Sequence, residues 1–304
     1  LPYMGSKNLI ADWVLSKIPP RTNFYDLFCG GGAITHAALL AKKHRRFFMN
    51  DLNPFSALFL DAVSGKYHNE TRWVSRETFQ REKTKDPYIA FVWSFGNNGD
   101  GYLYSKEVEP WKRALHYSRV LGDNSLLKEI GVPCSSSTWI KKNHDFCKEK
   151  YILWYIKNVM KSEVEVAEIR KNLSLQSLER LQSLQRLQSL QRLTVFNKNY
   201  DEVEILPDSV IYCDIPYYNT DEYAAGGFDY ERFYNWCGLQ KEFLFISEYW
   251  MPEDRFVCID KIEKPVMLNS GANMKADEKL FIPKHQEEKY REWKLSEGGF
   301  LFDV

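Results

Sequence analysis

The stretch NFYDLFCGGGAITHAALLAKKHRRFFMND, residues 23–51, decides the fold. Phe24 to Phe28 is a short apolar run that breaks into Gly30, Gly31 and Gly32. Ala33 to Ala41 follows as a small-residue helix, and Phe47 to Met49 as a second short strand ending at Asn50-Asp51. Strand, glycine turn, helix, strand, acid is the first half of a nucleotide-binding βαβ unit. Glycines in such a turn let the backbone approach a ligand closely, and a helix N-terminus follows. Asp51, about 20 residues beyond the turn, stands where an acid accepts ribose hydroxyls. The turn alone fits nicotinamide enzymes too, but Ile34 and Thr35 occupy the place of the third spaced glycine in G-x-G-x-x-G.

Upstream, residues 8–18 have a helical pattern with Leu9, Ile10, Trp13, Val14 and Ile18 on one side. Downstream, the character changes near residue 63. The segment up to 172 is rich in Lys, Glu, Arg, Trp and Tyr, holds the loop SFGNNGDGY (94–102) and helical stretches such as 146–160, and shows no strand–helix alternation. It reads as an inserted, mainly helical domain. Residues 173–193 carry LQSLER, LQSLQR, LQSLQR, with leucine at every third position from Leu175 to Leu193. Each such step turns an α-helix by about 300°, so the stripe winds round the rod and a zipper seam of period about 3.5 does not form. A helical spacer is expected. Strand character returns at Thr194–Phe196, Val210–Cys213, Phe243–Ser247 and Phe256–Ile259, with Lys279–Ile282 and Gly299–Val304 expected to close the sheet as a hairpin. The expected organisation is therefore 1–62, first part of an α/β domain; 63–172, insertion; 173–193, spacer; 194–304, second part.

Lys plus Arg and Asp plus Glu both number 41 in the 304-residue chain, so net charge is zero. That counts mildly against nucleic-acid binding, although Lys42, Lys43, His44, Arg45 and Arg46 form one basic run and Lys141, Lys142 and His144 another. None of the six cysteines sits in a C-x-x-C pair, so a zinc ribbon is not expected. No apolar run is long enough to span a bilayer and nothing resembles a signal peptide. A reducing, cytoplasmic setting is expected, with no metal, no membrane and a monomeric state. The start at Leu1 suggests that residues precede it.

The chemistry concentrates at Asp214-Ile215-Pro216-Tyr217, after the apolar run Val210–Cys213. Pro216 ends the ladder and stiffens the loop. A carboxylate, a backbone carbonyl at Ile215 and an aromatic face then lie close together. Two acceptors orient the hydrogens of an exocyclic amine, and an aromatic ring stacks on a flat heterocycle. This set disfavours a dehydrogenase.

Glycine turn, Asp51 and the Asp214–Tyr217 loop, in this order with an insertion between them, resemble the Dam-like class of DNA adenine-N6 methyltransferases. Pro2-Tyr3-Met4-Gly5-Ser6-Lys7 is similar to that class's N-terminal motif, and Asp26 to Gly32 to its F-x-G-x-G element. Asn199-Tyr200-Asp201, FDYERFYNWC (228–237), ISEYWMP (246–252) and EKLF (278–281) are similar to further segments. The resemblance implies a Rossmann-like, S-adenosylmethionine (SAM)-dependent mixed sheet with an inserted helical DNA-recognition domain, in an enzyme of bacterial or phage type. Tyr3, Met4, Gly5 and Lys7 would hold the methionine end of SAM. Asp26, Phe28, Gly30 and Gly32 would shape the floor, Asp51 would take the ribose, Tyr200 the adenine, and Asp214 would border the cofactor. The class has Pro where this chain has Ile215, a position that acts through its carbonyl. Asp at 214, not Ser, favours adenine over cytosine N4. In the insertion, Arg72, Arg76, Arg81, Asn97, Asn98, Lys141 and Lys142 are the expected contacts to double-stranded DNA. Cytosine-N4 or RNA-base methylation, and a decayed DNA-binding relative, remain as alternatives. Carbon-5 methylation through Pro133-Cys134 is disfavoured because no E-N-V partner motif appears.

Overall fold

The computed structural model describes residues 7–53, 55–132, 193–217, 227–267 and 273–298, together with Glu179, Gln182 and Leu184. Tyr3, Met4, Gly5, Lys141, Lys142, Cys134, the 146–160 stretch, most of the leucine repeats and Gly299–Val304 lie outside the described residues. Two compact units are formed, one covering Asp61–Gln188 and the other Gly5–Leu60 with Ser189–Val304.

The second unit is built on a mixed seven-stranded sheet. After a 3-10 turn at Lys7–Leu9 come α1 (Ala11–Lys17), β1 (Asn23–Asp26), α2 (Ala33–Ala41), β2 (Arg46–Asn50) and α3 (Phe55–Val63), then, beyond the first unit, β3 (Leu193–Phe196) and β4 (Ser209–Cys213). The spatial order is β3-β2-β1-β4-β5-β7-β6, where β5 is Phe243–Glu248, β6 Phe256–Met267 and β7 Asn273–Pro283. β1 to β5 run parallel, and β7 is antiparallel to both β5 and β6. The closing hairpin is thus β6 with β7, and a helix (Glu287–Gly298) follows it. Lys279–Ile282 is the second arm of that hairpin, not the first as the sequence suggested.

Every residue of β1, β4 and β5 is buried, as expected of parallel strands covered on both faces. Side chains alternate between those faces. Tyr25, Ile211, Cys213, Leu244 and Ile246 pack with Phe233, Tyr234 and Cys237 of the helix Tyr230–Gly238. On the other face Phe245 meets Tyr290 edge-on, and the Tyr290 hydroxyl donates to the Lys17 carbonyl at the end of α1. The chain turns outward from β1 in one direction through β2 and β3 and in the other through β4. This reversal makes the carboxyl ends of β1 and β4 a topological switch point, the place where open α/β sheets bind ligands.

In the first unit the described elements are α4 (Arg76–Glu82), α5 (Pro87–Val92), α6 (Glu109–His116) and α7 (Ser125–Glu129), with a π turn at Tyr117–Leu121. Ser75 caps α4 by accepting from the Thr78 N–H at 3.2 Å, and Asp86 caps α5 through the Tyr88 N–H at 2.9 Å, with Pro87 at the start of that helix. Trp73, Trp93, Tyr104 and His116 stack together at its centre. The SFGNNGDGY segment is a closed turn: Ser94 and Tyr102 bridge, and the Phe95 N–H donates to the Gly101 carbonyl at 2.9 Å. Within the leucine tract, Leu184 is buried and the Gln182 amide donates to the Tyr67 and His68 carbonyls at 3.2 and 3.1 Å. At these positions the tract is anchored to its own unit.

Candidate active site

The register fixes the rim of the switch point. Asp26 lies level with Met49 and Tyr212, and Cys213 with Ile246. Leu27–Phe28, Asp51 and Asp214 therefore continue past the same end of the sheet, where Asn50 ends β2 and Ser247–Glu248 end β5. Asn50 ties its own segment to the turn after β1 and to the stretch after β3: its amide donates to the carbonyls of Leu27 and Lys198, and its oxygen accepts from the Lys198 N–H, each at 3.0–3.1 Å. It is 1% exposed, so these bonds satisfy a buried amide that water cannot reach.

Asp51 braces the glycine loop. Its Oδ2 accepts the Gly30 N–H at 2.8 Å and its Oδ1 the Asn53 N–H at 2.9 Å. Burial raises its pKa, and these two bonds counter the rise. Gly30 and Gly32 have φ of 44° and 73°, a region that favours glycine. A Cβ on Gly32 would meet the Phe59 ring at 2.7 Å, so this glycine serves close packing against α3 beneath the loop. Asp26 faces the first turn of α2: its Oδ2 accepts from the N–H of Thr35 at 3.2 Å and from its hydroxyl at 2.7 Å. Its Oδ1 is buried with no hydrogen-bond partner among the described residues. Burial, with smaller contributions from Asp214 and Asp51, pushes the Asp26 pKa up to about 7.

Phe28 and Tyr200 stack at 5.3 Å between centroids, with Phe228, Phe233 and Trp236 closing round them. Asn199 and Glu202 form a reciprocal capping box that sets the turn carrying Tyr200. The Tyr200 hydroxyl is buried without a hydrogen-bond partner among the described residues.

At the end of β4 the loop is held from both sides. Ile215 is 2% exposed within the core, and the Pro216 carbonyl accepts from the Tyr230 hydroxyl at 2.9 Å. These contacts supply stiffness at a loop that carries one proline, not two. Ahead of them Asp214, Tyr217, Lys7 and Glu278 meet. The Lys7 ammonium lies 3.0 Å from Asp214 and 3.1 Å from Glu278, donates to the Tyr217 hydroxyl, and stands 4.5 Å from the centre of its ring. The Tyr217 hydroxyl in turn donates to Glu278 at 2.5 Å. Burial, then Asp214 and Glu278, drives the Tyr217 pKa far above its ordinary value, so the phenol stays a donor. Burial alone would lower the Lys7 pKa; Asp214 and then Glu278 outweigh it and raise the value, which keeps the ammonium charged. Tyr249 flanks Tyr217 at 4.5 Å between ring centres.

The structure thus brings together Lys7, Asp214 and Tyr217 from the expected set, and places Asp26 at the end of β1, Phe28, Gly30 and Asp51 on the adjoining loops, and Tyr200 in a 3-10 turn. Lys7 pairs with Asp214, after β4, and with Glu278, on β7, and not with a group at the glycine turn. Glu278, the first residue of EKLF (278–281), and Asn50 were not among the expected site residues. Glu278 is the middle of three consecutive charged residues in DEKLFIP, and nothing in that run marks one acid as buried.

In the first unit, Arg72 pairs with Glu70 and Asp86, each at 3.1 Å. Arg76 binds Glu109 at 3.2 Å and the Tyr104 carbonyl at 2.5 Å. Arg81 is exposed and pairs with Glu82. The Asn97 amide donates to the Phe91 carbonyl, and Asn98 accepts from the Asp100 N–H. Both asparagines therefore shape the 94–102 turn. Among the described residues no His, Cys, Asp and Glu are grouped to hold a metal ion, and no helix is long and apolar enough to cross a membrane.

A sheet in this order, with a glycine turn after β1, an acid after β2 and an acid–aromatic loop after β4, defines a fold of the α/β methyltransferase type. The pattern of the D12 class N6 adenine-specific DNA methyltransferases matches residues 3–235, and the chain belongs to that family. It is also similar to the type II methyltransferase M.CviAII of Paramecium bursaria Chlorella virus 1, with 24% identity over 243 residues, 74% of this chain and 66% of the viral protein. The chain thus spans just under two thirds of that relative's length.

Proposed function

We propose that this chain transfers the methyl group of SAM to N6 of an adenine turned out of double-stranded DNA. One observation carries the reading. A nitrogen bearing N–H donors, the Lys7 ammonium, is already held 3.0 Å from Asp214 beside the Tyr217 ring, which is the environment an exocyclic amine on a flat base requires. The viral relative is by its name a type II methyltransferase, which favours a restriction–modification setting.

The residues present fit SAM. The left-handed Gly30 and Gly32 bring backbone close to the switch point, the Phe28–Tyr200 stack offers an apolar wall for an adenine, and the Asp26 Oδ1 and the Tyr200 hydroxyl, which have no hydrogen-bond partner among the described residues, suit polar groups of a ligand. Each Asp51 oxygen accepts one backbone N–H and keeps a lone pair for a ribose hydroxyl. Bound there, SAM supplies an electrophilic methyl group. The protein's part is positioning and electrostatics. Asp214 and the Ile215 carbonyl accept the amine's hydrogens, which turns its lone pair outward. Tyr217 stacks on the ring. Attack would be direct, without a covalent enzyme intermediate: the methyl–sulfur bond would break as the methyl–nitrogen bond forms, the sulfur leaving as a neutral thioether, and the amine proton would pass late to solvent because methylation makes the nitrogen acidic.

The test is incubation with methyl-labelled SAM and unmethylated genomic DNA, digestion to nucleosides and identification of the labelled one. N6-methyladenine is the expected product. Label on cytosine would overturn the substrate, and no label with SAM bound would overturn the activity.

A further inference from the structure

Glu278 comes from the antiparallel arm β7, 61 residues beyond the Asp214–Tyr217 loop, yet it is part of the same cluster. Its side chain has 0% exposure, against 5% for Lys7 and 22% for Asp214. Its carboxylate takes the Tyr217 hydroxyl at 2.5 Å and the Lys7 ammonium at 3.1 Å. We infer that Glu278 is a positioning residue for the methyl-acceptor site: it holds the phenol of Tyr217 and the ammonium of Lys7 so that Asp214 is released to the incoming amine. The inference rests on the function proposed above.

The argument is one of partners. Lys7 has two carboxylates to choose from, and a base entering the site claims Asp214. A buried ammonium left without a counter-ion is strongly unfavourable. Glu278 removes that obstacle, because it already lies 3.1 Å from the ammonium and can stay its counter-ion when Asp214 changes partner. The same carboxylate anchors the far end of the Tyr217 ring. A ring that is to stack on a base must hold its plane, and the Tyr217 hydroxyl is the atom with the longest lever for doing so. Without Glu278, Lys7 would cling to Asp214 and compete with the amine, and the ring would lose its tether.

The experiment compares wild type, Glu278→Gln, Tyr217→Phe and the double variant on unmethylated genomic DNA with methyl-labelled SAM. SAM affinity and thermal unfolding are measured for each. Glu278→Gln keeps the volume and an acceptor but loses the charge. Each single variant is expected to lower transfer about 10-fold or more, a scale set by misplacement of a reacting group. SAM affinity should be unchanged. The double variant should be no worse than the poorer single, because both break one contact. Glu278→Asp keeps the charge, loses one methylene of reach, and is expected to lose transfer while staying folded; it decides the matter if the glutamine variant is unstable. Wild-type turnover by Glu278→Gln, or losses that multiply in the double variant, would overturn the inference while the function stands. Label on cytosine would overturn only the choice of base, since the ratios among variants would still measure Glu278. A wild type that labels no amino group overturns both.

Discussion

At the scale of single residues, the carboxylates at the rim divide the work. Asp214 faces the site and Asp26 lies beneath it, and the two call for different tests. Asp214→Ala removes an acceptor that matters most as charge develops on the amine, so transfer should fall about 100-fold or more while SAM still binds; normal turnover by that variant would remove Asp214 from the chemistry. Asp26 tests burial. Its pKa in the folded chain is about 7 against 3.8 for a free carboxyl. A folded-state value raised in this way means that the unfolded chain gives up its proton first. Stability is therefore unaffected by this group below about pH 4, falls as pH rises from there, and has taken the whole penalty above about pH 7. Asp26→Asn keeps an oxygen for Thr35 and has no charge to bury. The difference in melting temperature between variant and wild type should shift in the variant's favour between about pH 5 and about pH 8. Parallel curves would show that Asp26 is not the buried acid it is taken to be.

At the scale of elements, the β1–turn–α2–β2 unit was the part most open to reading from sequence. Each local signal there agreed with the tertiary result: α2 runs Ala33–Ala41 as expected, and β2 extends the expected Phe47–Met49 by one residue on either side. The glycine turn was legible as a turn, but its third glycine carries a packing demand that spacing does not show. Gly32→Ala places a Cβ 2.7 Å from the Phe59 ring at φ 73°, and should lower stability in urea by about 2–4 kcal/mol through backbone strain and overpacking; a loss under about 0.5 kcal/mol, the scatter of ordinary surface changes, would show that α3 yields readily. Less legible was the far edge of the sheet. β6 and β7 pair with each other at long registers across a bulge between Cys258 and Asp260, and runs of charged residues such as Asp277-Glu278-Lys279 interrupt the period-2 pattern that would mark the arms of a hairpin. Glu278 was hidden for the same reason: its burial comes from Lys7 and Tyr217, which lie far away in the chain. The closeness of Asp214 and Tyr217, by contrast, was legible because they stand within four consecutive residues.

At the scale of the whole molecule, neutrality constrains how DNA is held. With 41 basic and 41 acidic residues, no global field draws the chain to a polyanion, so affinity must come from local patches. The arginines proposed for this task differ in readiness. Arg72 and Arg76 already satisfy Glu70, Asp86 and Glu109, and handing them to phosphates would leave those acids to be resolvated. Arg81 is exposed, and its partner Glu82 is its neighbour in the chain, a pairing of little strength. Few phosphates should therefore be neutralised at little cost. Binding to mixed-sequence duplex DNA should weaken with salt along a shallow log–log slope of about −3, corresponding to roughly three neutralised phosphates. Arg81→Gln should reduce the magnitude of that slope by about 1 while leaving the melting temperature unchanged. Arg76→Gln should lower the melting temperature, because its guanidinium holds the Tyr104 carbonyl as well as Glu109. A dissociation constant unchanged between about 50 and about 200 mM salt would count against DNA as the partner. A slope of about −5 would mean that the internal pairs of Arg72 and Arg76 open on binding and add roughly two neutralised phosphates, so that neutrality of the whole chain conceals a basic face assembled on binding.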